Sequence, residues 1–365
     1  MSTNRKAGLL ILLAIAVLTI TSYTDVSETD AAAAGIYWGA HLYGKPPEAA
    51  SFQPGGLISN FETNIAQKKM SIIAWGAPWE YPVGSVLWFQ TAYFDNVRAH
   101  GAIPMLDWGS WACCGLPATQ PAYQLSYIAN GSYDGFITTW AKQAKAWGHP
   151  FFLRFNWEMN GNWQFPWSSQ LNNNTPDLYV KAWRRVHDIF NRVGATNVTW
   201  VWAPNISTWN TVPLAKLYPG SSYVDWVGLD GYNWASRQNM PWEMFYQIYS
   251  GDTKLVSNSK DSYTEITTVA AGKPLMITEF ASVEAGDGGG AKAYWIADAL
   301  GNSVINKYPK IKAIVWFNWD AGAGLTWPVE SSAASINAFR TGISPAIYLT
   351  NIFANLGNGK IQPRR

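Results

Sequence analysis

The chain has 365 residues, with 26 Lys and Arg against 24 Asp and Glu, a formal charge of +2. Charged residues are 14% of the chain where roughly 25% is usual, and the basic runs are only pairs such as Lys68-Lys69 and Arg184-Arg185, which argues against disorder and against a nucleic-acid-binding stripe. Twenty-two tryptophans exceed what a core needs and supply the flat apolar faces on which sugar rings stack.

At the N-terminus, Arg5 and Lys6 precede an apolar run from Ala7 to Ile20 that is short of a membrane span of about 20 residues. Residues 1–34 are therefore expected to be a signal peptide with a short linker, the small residues Ala31 to Ala34 offering a cleavage site, and the protein to be secreted. An uncleaved anchor facing outside is the alternative. Eight apolar runs rich in β-branched and aromatic residues follow, at 35–43, 71–77, 102–108, 150–158, 198–204, 224–232, 274–280 and 311–319, and these are the predicted strands.

Most gaps between them carry a helical period. Tyr133, Phe136, Ile137, Trp140, Ala141, Ala144 and Trp147 share one helix face. Tyr179, Ala182, Trp183, Val186, Phe190 and Val193 share another, opened by Thr175-Pro176-Asp177 with Pro in the first turn. Gly101, Gly148, Gly194 and Gly272 stand where left-handed helix ends belong. Strand-helix alternation repeated eight times predicts a (β/α)₈ barrel, and with no linker or repeat visible, residues 35–365 are expected to form a single domain.

Chemistry in such a barrel sits at the C-terminal ends of the strands. In the fourth strand Arg154, Asn156 and Glu158 share a face at period two, a costly set in a plain core and a reasonable one in a site. The seventh strand is apolar until Glu279. Two carboxylates at one end of a barrel suit glycoside hydrolysis, one donating a proton to the leaving oxygen and one meeting the charge that develops at the anomeric carbon. A structural ion-pair network with Arg154 or Lys273 is the plainer reading.

The runs Leu153-Arg154-Phe155-Asn156-Trp157-Glu158-Met159-Asn160-Gly161-Asn162-Trp163, Gly228-Leu229-Asp230-Gly231-Tyr232, Lys273 to Ser282 and Val315-Trp316 resemble glycoside hydrolase family 26. The resemblance extends over nearly all of residues 35–345. It implies a retaining endo-acting enzyme on a β-linked polysaccharide, foremost β-1,4-mannan, with β-1,3-xylan and mixed-linkage β-glucan as alternatives. It further implies Glu158 as acid/base, Glu279 as nucleophile, Tyr232 as the nucleophile's hydrogen-bond partner and Trp316 as the platform under the reacting sugar. Arg154, Asn156, Trp157, Asn160, Trp163, Trp108 and Trp202 complete the expected substrate-binding set. Trp157 departs from the family's usual His, which puts the substrate in question. Among the strand-end tryptophans, Trp75, Trp79, Trp108, Trp111, Trp202 and Trp234 are expected to line the cleft.

No cofactor and no metal is expected, since the four histidines occur in no metal-ligand spacing and no His-Glu-x-x-His motif occurs. The expected partner is the polysaccharide alone, with no nucleic acid, no membrane unless the leader stays uncleaved, and a monomeric chain. For the adjacent Cys113 and Cys114 a vicinal disulfide and two free thiols both fit. A non-catalytic carbohydrate-binding barrel would keep the tryptophans without needing both glutamates. A phosphate-binding barrel is disfavoured, because Gly286-Asp287-Gly288-Gly289-Gly290 lacks a P-loop ending.

Overall fold

Eight parallel strands close on themselves: β1 (Tyr37–Leu42), β2 (Ile72–Glu80), β3 (Ile103–Ala112), β4 (Phe151–Phe155), β5 (Val198–Trp202), β6 (Trp226–Asn233), β7 (Leu275–Ser282) and β8 (Ile311–Asn318). Each pairs with the next, and β8 returns to β1 from Tyr37↔Ala313 to Leu42↔Asn318, so the sheet has no edge. The computed structural model describes residue 1 and residues 35–113, 118–163, 165–235, 241–251, 260–321, 324–357 and 359–364. Beyond Met1, the expected leader of residues 1–34 lies outside them. Residues 33–365 form one compact unit. No helix among the described residues is long and apolar enough to cross a membrane.

The helices are α1 (Leu57–Asn60), α2 (Thr91–Ala99), α3 (Leu125–Asn130), α4 (Asp134–Trp147), α5 (Pro176–Val193), α6 (Phe245–Ser250), α7 (Ser262–Val269), α8 (Gly290–Asp298) and α9 (Ala333–Ile343). The two predicted amphipathic helices are α4 and α5, and each buries the face that its period marked, including Trp140 and Ala144 on α4 and Trp183 and Phe190 on α5. The Thr175 hydroxyl caps α5 by accepting from the Leu178 amide at 3.2 Å, with Pro176 in the first turn. Both helices end on left-handed glycines, Gly148 and Gly194. Between β5 and β6 there are only short 3₁₀ turns, Leu214–Lys216 and Ser221–Tyr223.

Two apolar layers result from strand alternation. Inside the barrel, Tyr37, Ile72, Met105, Phe152, Val201, Trp226, Met276 and Val315 pack together, and Phe353 and Ile361 of the C-terminal tail join them. The tail is tied in at the N-terminal ends of the strands, where the Trp226 indole donates to the Ile361 carbonyl at 2.9 Å. The other strand face packs on the helices, and this layer takes most of the tryptophans. Twelve of the 22 are fully buried, each worth on the order of 1.5–3 kcal/mol or more in area removed from water.

This alternation overturns part of the expected cleft. On β3, Met105 and Asp107 face the axis while Leu106 and Trp108 face outward, and Trp108 stacks on Trp140 of α4 at 4.5 Å. Trp202 is outward beside Tyr218, Trp75 packs on Phe94, and Trp79 packs on Phe136 and Tyr133. Trp316 is likewise outward, 1% exposed against Phe280, Trp295 and Phe339. None of these five can lie beneath a sugar, because an inward neighbour occupies each cleft-facing place.

At the end of β3, Cys113 is disulfide-bonded. Cys114, the one other cysteine of the chain, lies outside the described residues.

Candidate active site

Above the apolar filling, the inward residues change character. Arg154 on β4 is fully buried, and its guanidinium meets three carboxylates: Asp230 on β6 and Glu279 on β7 in direct hydrogen bonds, and Asp107 on β3 at 3.4 Å. His41 of β1 lies 4.0 Å from Asp107, its ring stacked 5.2 Å from Phe317. A buried arginine is tolerable only when paired, and these carboxylates make Arg154 the hub of the site.

Glu279 reaches that hub through an irregularity. Ile277 pairs with Leu229, yet Asp230 pairs with Glu279, so one residue is inserted at Thr278. Simple alternation from Met276 would turn Thr278 inward and Glu279 toward the helices. The bulge turns both inward: the Thr278 hydroxyl donates to Asp230 at 2.6 Å, and Glu279 accepts from Arg154 and from the Tyr232 hydroxyl.

Glu158 arrives differently from the period-two expectation, because β4 ends at Phe155. Asn156 and Glu158 both adopt left-handed backbone, φ 44° and 52°, a strained choice for residues with a Cβ. Surrounding bonds hold it. The Glu158 amide donates to the Ala203 carbonyl at 2.8 Å, and the Asn156 carboxamide exchanges two bonds with Ser110, both at 2.9 Å. The Glu158 carboxylate accepts from the Trp163 indole at 2.7 Å and from the Asn205 carboxamide at 2.6 Å. Gly161 permits the first of these, since a Cβ there would sit about 2 Å from the Trp163 ring.

The expected site residues therefore separate. Glu158, Glu279, Arg154, Tyr232 and Trp163 converge. Trp157 stands at the margin, half-buried on Phe165 and Trp167 with its ring 5.2 Å from the Arg154 guanidinium. Asn156 and Asn160 are fully buried and bonded within the protein, so neither is free to bind substrate. Asn160 exchanges bonds with Asn205 at 2.9 and 3.0 Å and so carries the donor to Glu158. Trp108, Trp202 and Trp316 belong to the helix layer. In place of Trp316, Phe317 faces the site, with Trp327 stacked on Tyr232 at 4.5 Å. Trp316 supports that stack from behind, its indole donating to the Trp327 carbonyl at 3.2 Å.

Sequence reasoning missed Asp107, His41, Asn205, Phe317 and Trp327, and it quoted Asp230 without a role. Strict inward parity on β3, β6 and β8 marks Asp107, Asp230 and Phe317. Asn205 and Trp327 are loop residues and carry no periodic signal.

Electrostatics separates the carboxylates. Burial, reinforced by the negative charge of Glu279, pushes the Glu158 carboxyl up to about 7, against the pull of Arg154 and the bonds from Asn205 and Trp163. Burial likewise raises Asp107 to about 7, and raises Asp230, because one guanidinium serves three carboxylates. His41 is lowered to about 4 by burial and is neutral. Burial, then the charge of Glu279, holds the Tyr232 hydroxyl protonated as a donor. Oxygens of Glu158, Asp230 and Glu279 lie within 4.8 Å of one another, a grouping that could hold a cation, but the Arg154 guanidinium already bonds two of the three.

A (β/α)₈ barrel with a close carboxylate pair at the C-terminal ends of β4 and β7, one member raised toward neutrality, is the arrangement that glycoside hydrolysis uses. The sequence profile of glycosyl hydrolase family 26 matches residues 84–279, and the chain belongs to that family. It is similar to Endoglucanase H of Acetivibrio thermocellus, 33% identical over 316 residues, which are 85% of this chain and 30% of that protein. It is also similar to a mannan endo-1,4-beta-mannosidase of Bacillus subtilis, 31% identical over 124 residues, 33% of this chain and 31% of that one. The chain thus spans about a third of the length of these relatives. A GH26 beta-mannanase from Bacteroides ovatus shares the fold with a TM-score of 0.59 at 17% identity, over 91% of this chain and 95% of that one.

Proposed function

We propose that the chain is a secreted, retaining, endo-acting glycoside hydrolase that cuts a β-linked polysaccharide by double displacement. The observation that carries this is the closeness of Glu158 and Glu279: an oxygen of one lies within 4.8 Å of an oxygen of the other, nearer the roughly 5 Å of retaining enzymes than the roughly 6.5–9.5 Å of inverting ones. In the first step Glu279 attacks the anomeric carbon, the glycosidic bond breaks, and Glu158 gives its proton to the leaving oxygen. Forming the glycosyl ester removes the charge on Glu279, so the Glu158 carboxyl falls in pKa and becomes a base. It then takes a proton from water, whose oxygen attacks the same carbon and expels Glu279. Two inversions give net retention.

Arg154 and Tyr232 position Glu279 and hold its charge, while Asn205 and Trp163 aim Glu158. The reaction needs no cofactor and no second subunit, and the leader of residues 1–34 supports export to where polysaccharides occur. A non-catalytic barrel would have no use for the bulge at Thr278 or the strain at Glu158.

Two substrates compete. Family resemblance favours β-1,4-mannan. The relative aligned over 85% of this chain bears the name endoglucanase, and Trp157 stands where the family's usual His would be. We take a β-glucan, including the mixed-linkage kind, as the leading substrate and β-mannan as the second. Incubation with mixed-linkage glucan, β-mannan, β-1,3-xylan and cellulose, with NMR of the first-formed products, tests both levels. Oligosaccharides released from glucan in the β configuration support the reading. Release from mannan alone exchanges the substrates, and α-configured first products contradict the mechanism.

A further inference from the structure

Trp209 is the most exposed tryptophan of the chain, 70% accessible, in a protein that buries most of its indoles. It stands on the loop after β5, four residues beyond Asn205, the donor to Glu158. That loop is tied down along its length. The Ser207 amide donates to the Ser262 hydroxyl at 2.7 Å, the Thr208 amide to the Thr211 hydroxyl at 2.9 Å, and the Val212 amide to the Asn160 carbonyl at 2.9 Å. Gln170 of the loop after β4 donates to the carbonyls of Asn160 and Asn210. The Lys260 amide donates to the Ser207 carbonyl at 2.7 Å, and the Lys260 ammonium lies 4.7 Å from the centre of the Trp209 ring. An indole held in place by its loop and left in water keeps a flat apolar face open to a ligand.

The position selects that ligand. During the first step the leaving oxygen takes its proton from Glu158, so the leaving-side sugars begin beside the loops that carry Glu158 and its donor Asn205. We infer that Trp209, braced by Lys260, is a sugar-stacking platform for the leaving-side portion of a β-linked polysaccharide. The platform's apolar face takes the CH face of a pyranose, and the Lys260 ammonium can donate to a ring hydroxyl. This rests on the roles proposed for Glu158 and Glu279, and it adds a binding position on the rim, away from the buried residues.

The test uses the whole protein with Trp209→Ala and Trp209→Phe. On β-glucan, Trp209→Ala should raise KM by about two- to tenfold, the range of one aromatic contact, with kcat little changed. Trp209→Phe should recover part of that loss. An activated aryl glycoside carries no sugar on the leaving side, so its kinetics should not follow the polysaccharide loss. Electrophoresis through gels containing β-glucan or β-mannan reads binding without turnover, and Trp209→Ala should migrate with less retardation. If the polysaccharide is not cut but retardation still drops, the catalytic reading fails and the platform stands. Equal retardation and equal KM for wild type and Trp209→Ala, or an equal loss on the aryl glycoside, would overturn the platform.

Discussion

The two halves of the barrel interior are filled by the same strands and obey opposite chemistry. Toward the N-terminal ends of the strands, Ile72, Met105, Phe152, Trp226 and Met276 pack as an ordinary apolar core. Two residues further along β3 and β4, and four further along β6, Asp107, Arg154 and Asp230 are as deeply buried and of charged type. The apolar half can be altered at a cost in stability alone. The charged half is tolerable only as a set, because each group leans on the others, and it holds two glutamates where a substrate can reach them.

Removing a member of the charged half should have the largest effect. Glu279→Ala is expected to lose about 10⁴-fold or more in kcat on polysaccharide, the scale seen when a nucleophile is deleted, while keeping the barrel. Near-normal kcat would place the chemistry elsewhere. Arg154→Met leaves Asp107, Asp230 and Glu279 without their shared cation and should cost about 3–5 kcal/mol of stability, read by denaturant unfolding.

Trp316→Ala sharpens the comparison from the helix layer. Its indole is fully buried, so the substitution should cost about 3–5 kcal/mol, whereas a platform under the reacting sugar would leave stability intact and its loss would lower turnover sharply. Unchanged stability with a large fall in kcat would return Trp316 to the cleft.

The pH response separates Glu158 from a structural acid. Its protonated form is the acid, so kcat/KM should fall as pH rises through about 7. Trp163→Phe removes a bond that favours the charged form, so the Glu158 carboxyl should rise and the basic limb should move to higher pH, by about half a unit. Folding stability carries the same sign. With a folded value near 7 above the ordinary carboxylate value, the folded state binds more protons between about pH 4 and 7, and stability falls as pH rises through that window. Glu158→Gln should therefore stabilise the protein by about 1–2 kcal/mol at pH 8 and hardly at all at pH 4. The smallest effect is expected from chelation: dialysis against EDTA should leave turnover unchanged, because Arg154 supplies the positive charge beside Asp230 and Glu279.

Much of this was legible in the sequence, and the failures have physical causes. Eight apolar runs and two helical stripes marked the barrel, because burial on one face leaves a period. Glu158 and Glu279 stood out as polar residues ending apolar runs. Parity holds only within a regular strand: β4 ends at Phe155, so Asn156 and Glu158 are aimed by left-handed backbone, and a bulge at Thr278 decides where Glu279 points. Tryptophan richness points to a cleft, yet outward parity sends Trp75, Trp79, Trp108, Trp202 and Trp316 to the helices. Asn205 and Trp327 reach the site from loops, where no spacing rule marks a residue.

The assignment of the two glutamates is tested most directly by azide, because a nucleophile and an acid/base fail with opposite stereochemistry. With an activated β-glycoside, Glu279→Ala opens space for azide to attack once from the vacated side and should give the α-configured glycosyl azide. Glu158→Ala keeps its nucleophile, forms the glycosyl ester with a leaving group that needs no proton, and should release the β-configured azide after two inversions. NMR of the products reads the outcome. Opposite anomers from the two variants are the predicted result, and the same anomer from both would contradict the account.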